Sequence, residues 1–322
     1  MMTLKHNFFN IGSVPIPGNV LLAPMDGYTD QPFRLFIREL GSAASISEFI
    51  NGIDVVRGNP HLQQRISFDE KERPFGYQIL DDDPKRILRT AHFLEQKNPD
   101  FIDLNIGCPS KSIIHRGAGS ALLKAPEKIG EIFTLMKSEI NIPLTAKIRL
   151  GWDQTNRNYL EVSHILEENG AQAIFVHART RKQGYSGQAD WDAIAEVKQH
   201  LRIPVIGNGD IRFVSDIQKM FNHTHCDAVM IGRISVSNPW IFAGLDREEV
   251  CWDQLISSLS KLVDLLQDFY GVELGLKLLR KFLVHILAPL GFTRDQRIQL
   301  FGCSDKSSLF RSLEALMPGN LE

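Results

Sequence analysis

Short apolar, β-rich runs recur along the first three quarters of the chain. They fall at Val20–Ala23, Ala43–Ser47, Phe75–Ile79, Phe101–Leu104, Leu144–Ile148, Ala173–Val176, Pro204–Ile206 and Ala228–Ile231. Between most of them lie amphipathic stretches with helical spacing, at Pro32–Leu40, Pro84–Gln96, Pro126–Ile140, Tyr159–Asn169, Trp191–His200 and Val214–Asn222. Pro84 and Pro126 open two of these stretches, where a missing N–H costs nothing. Gly170, directly after another, reads as a C-cap. The segment after Ser47 carries no clear pattern. Strands alternating with helices predict parallel βαβ units, and eight such units in about 245 residues match a (β/α)8 TIM barrel of roughly 250. The alternative, a doubly wound sheet, would be favoured by a glycine-rich dinucleotide turn after the first strand. The sequence there is LLAPMDGYTD, without GxGxxG.

Past Leu245 the texture changes. Asp253–Tyr270, Leu274–Leu287 and Ser304–Met317 carry helical periodicity, Pro289-Leu290-Gly291 separates the second of these from the third, and no β-rich run intervenes. The chain therefore divides into a barrel, residues 1–246, and a small all-helical C-terminal domain, residues 247–322.

Composition narrows the class. Of 322 residues, 43% are hydrophobic and 23% charged, ordinary values for a folded protein. The net charge of −2 excludes a globally basic nucleic-acid binder but not a local basic patch. No apolar run approaches membrane-spanning length, and the N-terminal stretch lacks the apolar core and cleavage site of a secretory leader. Cys108, Cys226, Cys251 and Cys303 are scattered without a CxxC pair, which argues against a disulfide framework or a metal knuckle. A reducing, cytoplasmic setting without a bound metal is expected.

A barrel places its chemistry at the C-terminal ends of its strands, so the residues that terminate the eight runs matter most. The third run ends in Gln78. The fourth continues into DLNIGCPS, with Asn105 and Cys108; the fifth ends in Lys147 and Arg149, the sixth in His177 and Arg179. The seventh ends in Asn208-Gly209-Asp210 and the eighth in Gly232-Arg233. Glycines after strands seven and eight suit a phosphate, because backbone N–H groups can approach its oxygens closely; taken separately, each pair is more often a tight turn, and together they favour a phosphorylated ligand. Lys147 in TAKIRL fits either a structural ion pair or a cation beside an electron-rich cofactor ring. His177 fits either a satisfied core histidine or a site residue, and Gln78 can hydrogen-bond a ring carbonyl and imide. Cys108 lies between Gly107 and Pro109 in a loop just past a strand. With an unperturbed pKa near 8.5 it is mainly the thiol at pH 7, hence a proton donor; most single cysteines are instead inert core residues.

The set LLAPMDGYTDQPFR, DLNIGCPSK, AKIRLGWD, VHARTRKQGYSG, PVIGNGDI and DAVMIGR resembles the tRNA-dihydrouridine synthases in order and spacing from about residue 20 to residue 245. The resemblance implies an FMN flavoprotein that uses NADPH to reduce uridines of tRNA. It implies that Pro24, Met25 and Asp26 line the flavin and that Gln78 and Lys147 contact its ring, with His177 nearby. Asn208, Gly209, Asp210, Gly232 and Arg233 would hold its phosphate end. Asn105 would orient the uracil and Cys108 protonate C5 after hydride reaches C6. A flavin barrel that reduces a free pyrimidine or another small enone-like substrate would share these residues without needing to bind RNA.

An RNA partner finds a candidate surface in the C-terminal helices. Between Leu274 and Leu300 stand Lys277, Arg280, Lys281, Arg294 and Arg297 against Asp295 alone. Lys277, Arg280 and Lys281 are spaced i, i+3, i+4, on one helix face, which reads as a solvated surface or as a phosphate track. Lys111, Arg116, Arg179, Arg181 and Lys182 on the barrel rim could continue that track. A monomer is expected.

Overall fold

A computed structural model describes residues 8–316. The stretch before Phe8, expected to carry no leader, and Met317, at the expected end of the last helix, lie outside the described residues. The chain opens with a hairpin, β1 (Phe9–Ile11) and β2 (Val14–Ile16). The barrel strands are β3 (Val20–Leu22), β4 (Ser45–Ile46), the short β5 (Ile50–Asn51), β6 (Phe75–Leu80), β7 (Phe101–Ile106), β8 (Leu144–Arg149), β9 (Ala173–His177), β10 (Val205–Asn208) and β11 (Ala228–Ile231). They run parallel in the order β3-β11-β10-β9-β8-β7-β6-β4. Between β4 and β3 the ring closes through the Ala43 N–H, which donates to the Val20 carbonyl at 2.8 Å, rather than through a ladder. The eight expected runs are thus the eight strands of a nearly closed (β/α)8 barrel.

The helices match the sequence pattern to within two residues at Gln31–Glu39, Pro84–Glu95, Pro126–Glu139, Tyr159–Glu168, Trp191–His200 and Val214–Thr224. Aspartates start several of them, because a carboxylate before the first turn satisfies an orphan N–H. Asp30 accepts from the Phe33 N–H, Asp83 from that of Arg86 at 2.7 Å, and Asp190 from that of Ala193. Residues alternate along each strand. Ile102, Leu104, Ala146, Ile148, Ile174 and Val176 join the shell between strands and helices, whereas Leu21, Phe101, Ala173, Phe175, Ile206, Ala228 and Met230 fill the barrel interior. Ile11 and Ile16 of the hairpin belong to that interior cluster and are fully buried. The hairpin therefore plugs one end of the barrel, a role invisible in two three-residue strands.

Beyond the barrel lie the helices Trp252–Tyr270, Val272–Ile286, Arg294–Gly302 and Lys306–Ala315. The third is not expected from the sequence pattern; its start is set by Thr293, whose hydroxyl accepts from the Gln296 N–H. The first two pack back onto the barrel, where the Phe282 ring stacks on Phe33 with centroids 4.7 Å apart. Among the described residues no helix is long and apolar enough to cross a membrane.

Candidate active site

Strand register assembles the site. β6, β7 and β8 set Gln78, Asp103 and Thr145 in one row, and one step higher Asn105 lies beside Lys147. His177 pairs in register with Arg149 on one side and Asn208 on the other. These residues sit at the C-terminal rim, above the apolar filling of the barrel. Two adjoining cavities, of about 360 Å³ and 560 Å³, open there and share Pro24, Met25, Lys147, His177, Tyr185 and Arg233 in their walls. The smaller adds Asn208, Gly209, Asp210 and Gly232; the larger adds Asp26, Gln78, Asn105 and Cys108. Every residue singled out along the chain as a cofactor or uracil contact or as the acid therefore lines this double cavity, although they are distributed over more than two hundred positions.

The smaller cavity is a cradle. Gly209 has φ +133, a backbone that favours glycine, and a Cβ there would come within 2.8 Å of the Ala189 methyl. Among the described residues, the N–H groups of Gly209, Gly232 and Arg233 donate to no protein acceptor. The Asn208 amide is fixed on both sides: its NH2 donates to the Met230 carbonyl at 2.8 Å, and its oxygen accepts from Lys147 Nζ at 3.2 Å. Unpaired backbone donors beside a guanidinium are what a phosphate monoester requires.

Charge and burial set the protonation states. Burial, reinforced by the neighbouring Arg149, lowers the Lys147 ammonium to about 8, so it is mostly charged at pH 7. Burial also drives His177 well below the usual histidine range, and Arg149, Lys147, Arg179 and Arg233 push the same way. Its imidazole is therefore neutral, a hydrogen-bonding group rather than a cation. Burial raises the Cys108 thiol above its ordinary value, with Asp26 adding to the effect and Arg149 and Lys147 opposing it. The thiol stays protonated at neutral pH. Its loop is held from two directions. The Cys108 N–H donates to Asn105 Oδ1 at 2.9 Å, and its carbonyl accepts from the Ser120 N–H and hydroxyl. Gly119, at φ +60, permits that approach, since a Cβ would lie 3.0 Å from the Cys108 oxygen.

Three of the expected site residues have intramolecular partners that the sequence did not show. Arg179, anticipated at the RNA, is buried, and its guanidinium donates to both oxygens of Asp210 at 2.7 and 2.8 Å and to the carbonyls of Ser186 and Gly187. Asp210, anticipated at the phosphate, lines the cradle but spends its carboxylate on Arg179 and the Ala189 N–H. An anion would in any case repel a phosphate. Together they pin the 180–188 loop against β10. Lys281, anticipated on an RNA track, donates to the Gly27 carbonyl at 2.8 Å and to Asp30 at 3.2 Å, fastening its helix to the barrel. Lys277 is exposed and Arg280 half-buried, and among the described residues neither has an ion-pair partner. Arg179, Lys277, Arg280 and Lys281 all lie outside the walls of the double cavity.

Several wall residues carry no signal in the sequence pattern. Tyr28, Phe49, Tyr185 and His285 rim the larger cavity. Tyr185 is 56% exposed, with the Arg233 and Arg149 guanidinium groups 4.5 and 5.5 Å from its ring centre. Its place in QGYSG between Gly184 and Gly187, both at positive φ, is the one available hint of a loop aimed outward.

A parallel barrel whose strand ends bring unpaired backbone donors, a buried ammonium and a protonated thiol to the walls of one double cavity has the form of a (β/α)8-barrel enzyme. Comparison with known proteins makes the class specific. Residues 21–308 match the family described as dihydrouridine synthase (Dus), and the chain belongs to that family. It is 36% identical over 297 residues to tRNA-dihydrouridine synthase B of Pseudomonas aeruginosa, covering 90% of each chain. To the protein of that name in Pseudomonas putida it is 34% identical over 313 residues, covering 95% of this chain and 93% of the other. The Pasteurella multocida protein of that name is 34% identical over 279 residues, 84% of each.

Proposed function

We propose that this protein is an FMN-dependent, NADPH-driven tRNA-dihydrouridine synthase that reduces the C5–C6 double bond of uridines in tRNA, acting as a cytoplasmic monomer. In this reading residues 1–246 form the catalytic barrel and residues 247–322 the tRNA-binding domain. The observation that carries it is the Cys108 thiol lining the same cavity as the Lys147 ammonium, directly beside the phosphate cradle, in a chain of this family.

FMN fits the residues present. Gly209, Gly232 and Arg233 would hold its phosphate, Pro24, Met25 and Asp26 would border it from the first strand, and Gln78 and Lys147 would meet the ring. Bound there, FMN supplies the hydride that uracil receives at C6. Lys147 contributes positive charge where a reduced ring carries negative charge. The neutral His177 donates or accepts one hydrogen bond without adding a competing cation. Asn105, whose carbonyl already holds the Cys108 loop, is within the cavity wall to orient the base. Cys108 holds the proton destined for C5, which its raised pKa suits. The target base must leave its stack, at a cost of a few kcal/mol, and the rings of Tyr28, Phe49 and Tyr185 offer faces to receive it.

The test is to incubate purified protein with NADPH and unmodified tRNA and map dihydrouridine. Modified tRNA together with acid-released FMN supports the reading. Reduction of free uridine or uracil with no change in tRNA would favour the small-substrate alternative.

A further inference from the structure

Below the cavity floor, a buried carboxylate begins a chain of hydrogen bonds that ends on the Cys108 loop. Asp103 is fully buried on β7, between the apolar interior and the site. Its Oδ1 accepts from the Thr145 hydroxyl at 2.8 Å and its Oδ2 from Gln78 Nε2 at 2.8 Å. Gln78 Oε1 accepts from Asn105 Nδ2 at 2.7 Å, and Asn105 Oδ1 accepts from the N–H groups of Gly107 and Cys108 at 3.1 and 2.9 Å.

The polarity of this chain is imposed from both ends. A carboxylate only accepts, and a backbone N–H only donates. The two amides between them have a single arrangement that satisfies every link, with each NH2 toward Asp103 and each carbonyl toward Cys108. We infer that Asp103 is a positioning residue for Cys108: it acts through Gln78 and Asn105 to fix the amide orientations that hold the Gly107–Cys108 backbone. This rests on the role given to Cys108 under the proposed function. Burial raises the Asp103 carboxyl to about 6, against the bonds from Gln78 and Thr145 and the nearby Lys147 ammonium, so it is mostly ionised at pH 7. Removing it leaves the Gln78 NH2 in a buried place with no acceptor, and a buried donor seeks another orientation when its partner is lost. Asparagine should substitute well. Its oxygen can accept from Gln78 while its NH2 turns to the Thr145 hydroxyl, which can also accept.

The experiment compares Asp103→Ala and Asp103→Asn in the flavin-loaded protein, each alone and with Asn105→Ala. Three rates are read: iodoacetamide alkylation of the Cys108 peptide by mass spectrometry, flavin reduction by NADPH, and single-turnover reduction of tRNA uridine. Loss of one buried partner should make Asp103→Ala alkylate roughly fivefold faster and reduce tRNA about tenfold more slowly; flavin reduction, which the loosened Gln78 also touches, should fall by less than the tRNA step. Asp103→Asn should stay within about threefold of the parent on every rate. In the Asn105→Ala background, Asp103→Ala should add less than about twofold, because the path is already cut. The inference is overturned if Asp103→Ala leaves Cys108 alkylation unchanged, if its full effect persists without Asn105, or if Asn is as damaging as Ala. Should Asp103→Ala not fold, Asp103→Ser, whose hydroxyl is too short to span to Gln78, carries the same expectations. If no tRNA uridine is reduced by the parent protein, the proposed function fails, while the alkylation arm still decides whether Asp103 positions Cys108.

Discussion

At the residue scale, burial and neighbouring charges set Cys108 and Lys147 to distinct proton affinities, the thiol raised and the ammonium lowered. Cys108→Ala removes the proposed acid and little else. General-acid help is typically worth 10²–10⁴ in rate, so tRNA reduction should fall by about that factor while NADPH still reduces the flavin at a near-normal rate; stopped-flow flavin bleaching and dihydrouridine mapping separate the two. A normal tRNA step in this variant would make the cysteine structural. Because burial raises the thiol, the proton donor is present throughout neutral pH and is lost only as pH rises past the ordinary thiol range. Lys147 titrates sooner. Its active form is the ammonium, with a pKa lowered to about 8, so ring binding or flavin reduction should be full at pH 7 and decline as pH rises through about 8. Lys147→Ala should abolish that dependence along with much of the flavin affinity; an unchanged pH profile in Lys147→Ala would assign it to another group. The thiol, the ammonium and the amides were legible as types, because strand ends in a barrel converge. How far burial and neighbouring cations shift each group was not, because burial and cation spacing are properties of the assembled rim.

Among the elements, the 180–188 loop is pinned by a charged pair whose members were read separately along the chain. Arg179 and Asp210 both terminate strands, and from sequence both pointed at ligands. In the barrel they meet each other, 31 residues apart in the chain. Removing the Asp210 carboxylate leaves the buried Arg179 guanidinium without its charged partner, so Asp210→Ala should lower the melting temperature and loosen Tyr185, which the same loop carries. Proteolytic nicking of the loop would report it, and a variant as stable and as protease-resistant as the parent would show that the pair is dispensable. The pH sign is set by the depressed Asp210 carboxyl, which partial burial opposes but the Arg179 and Ala189 bonds outweigh. Its contribution is present above the unfolded value near 3.9 and is lost as pH falls through its folded pKa, so the effect lies in acid. The main helices were predictable because the 3.6-residue period runs through each, reinforced by proline starts at Pro32, Pro84 and Pro126 and by aspartate caps at Asp30, Asp83 and Asp190. The hairpin β1–β2 and the helix Arg294–Gly302 lack that pattern: the former is too short for a period, the latter too polar to show one.

For the whole molecule, the C-terminal helices expose Lys277 and, in part, Arg280, while Lys281 is engaged with Asp30. Lys277→Glu with Arg280→Glu should raise the KM for tRNA and flatten its salt dependence by about 0.7–0.9 per lost phosphate contact, with NADPH oxidation unchanged. Lys281→Glu should act differently, since it sets a second carboxylate against Asp30; it should destabilise the helix–barrel junction, read as a lower melting temperature. Unaltered tRNA affinity in the double variant would place the RNA surface elsewhere, with the barrel-rim cations Lys111, Arg116, Arg181 and Lys182 next to be tested. The eight barrel strands, the six main helices between them, the barrel they form and the placing of Gln78, Asn105, Cys108, Lys147 and His177 at its strand ends were determined by the sequence alone, because alternation, helical period and strand-end position are local properties that survive projection onto one dimension. Which cations are free and which are already paired, how the amides beneath Cys108 are turned, and that Tyr28, Phe49, Tyr185 and His285 complete the wall were decided only by tertiary structure. Those outcomes depend on distances between segments far apart in the chain, and spacing along the chain does not encode them.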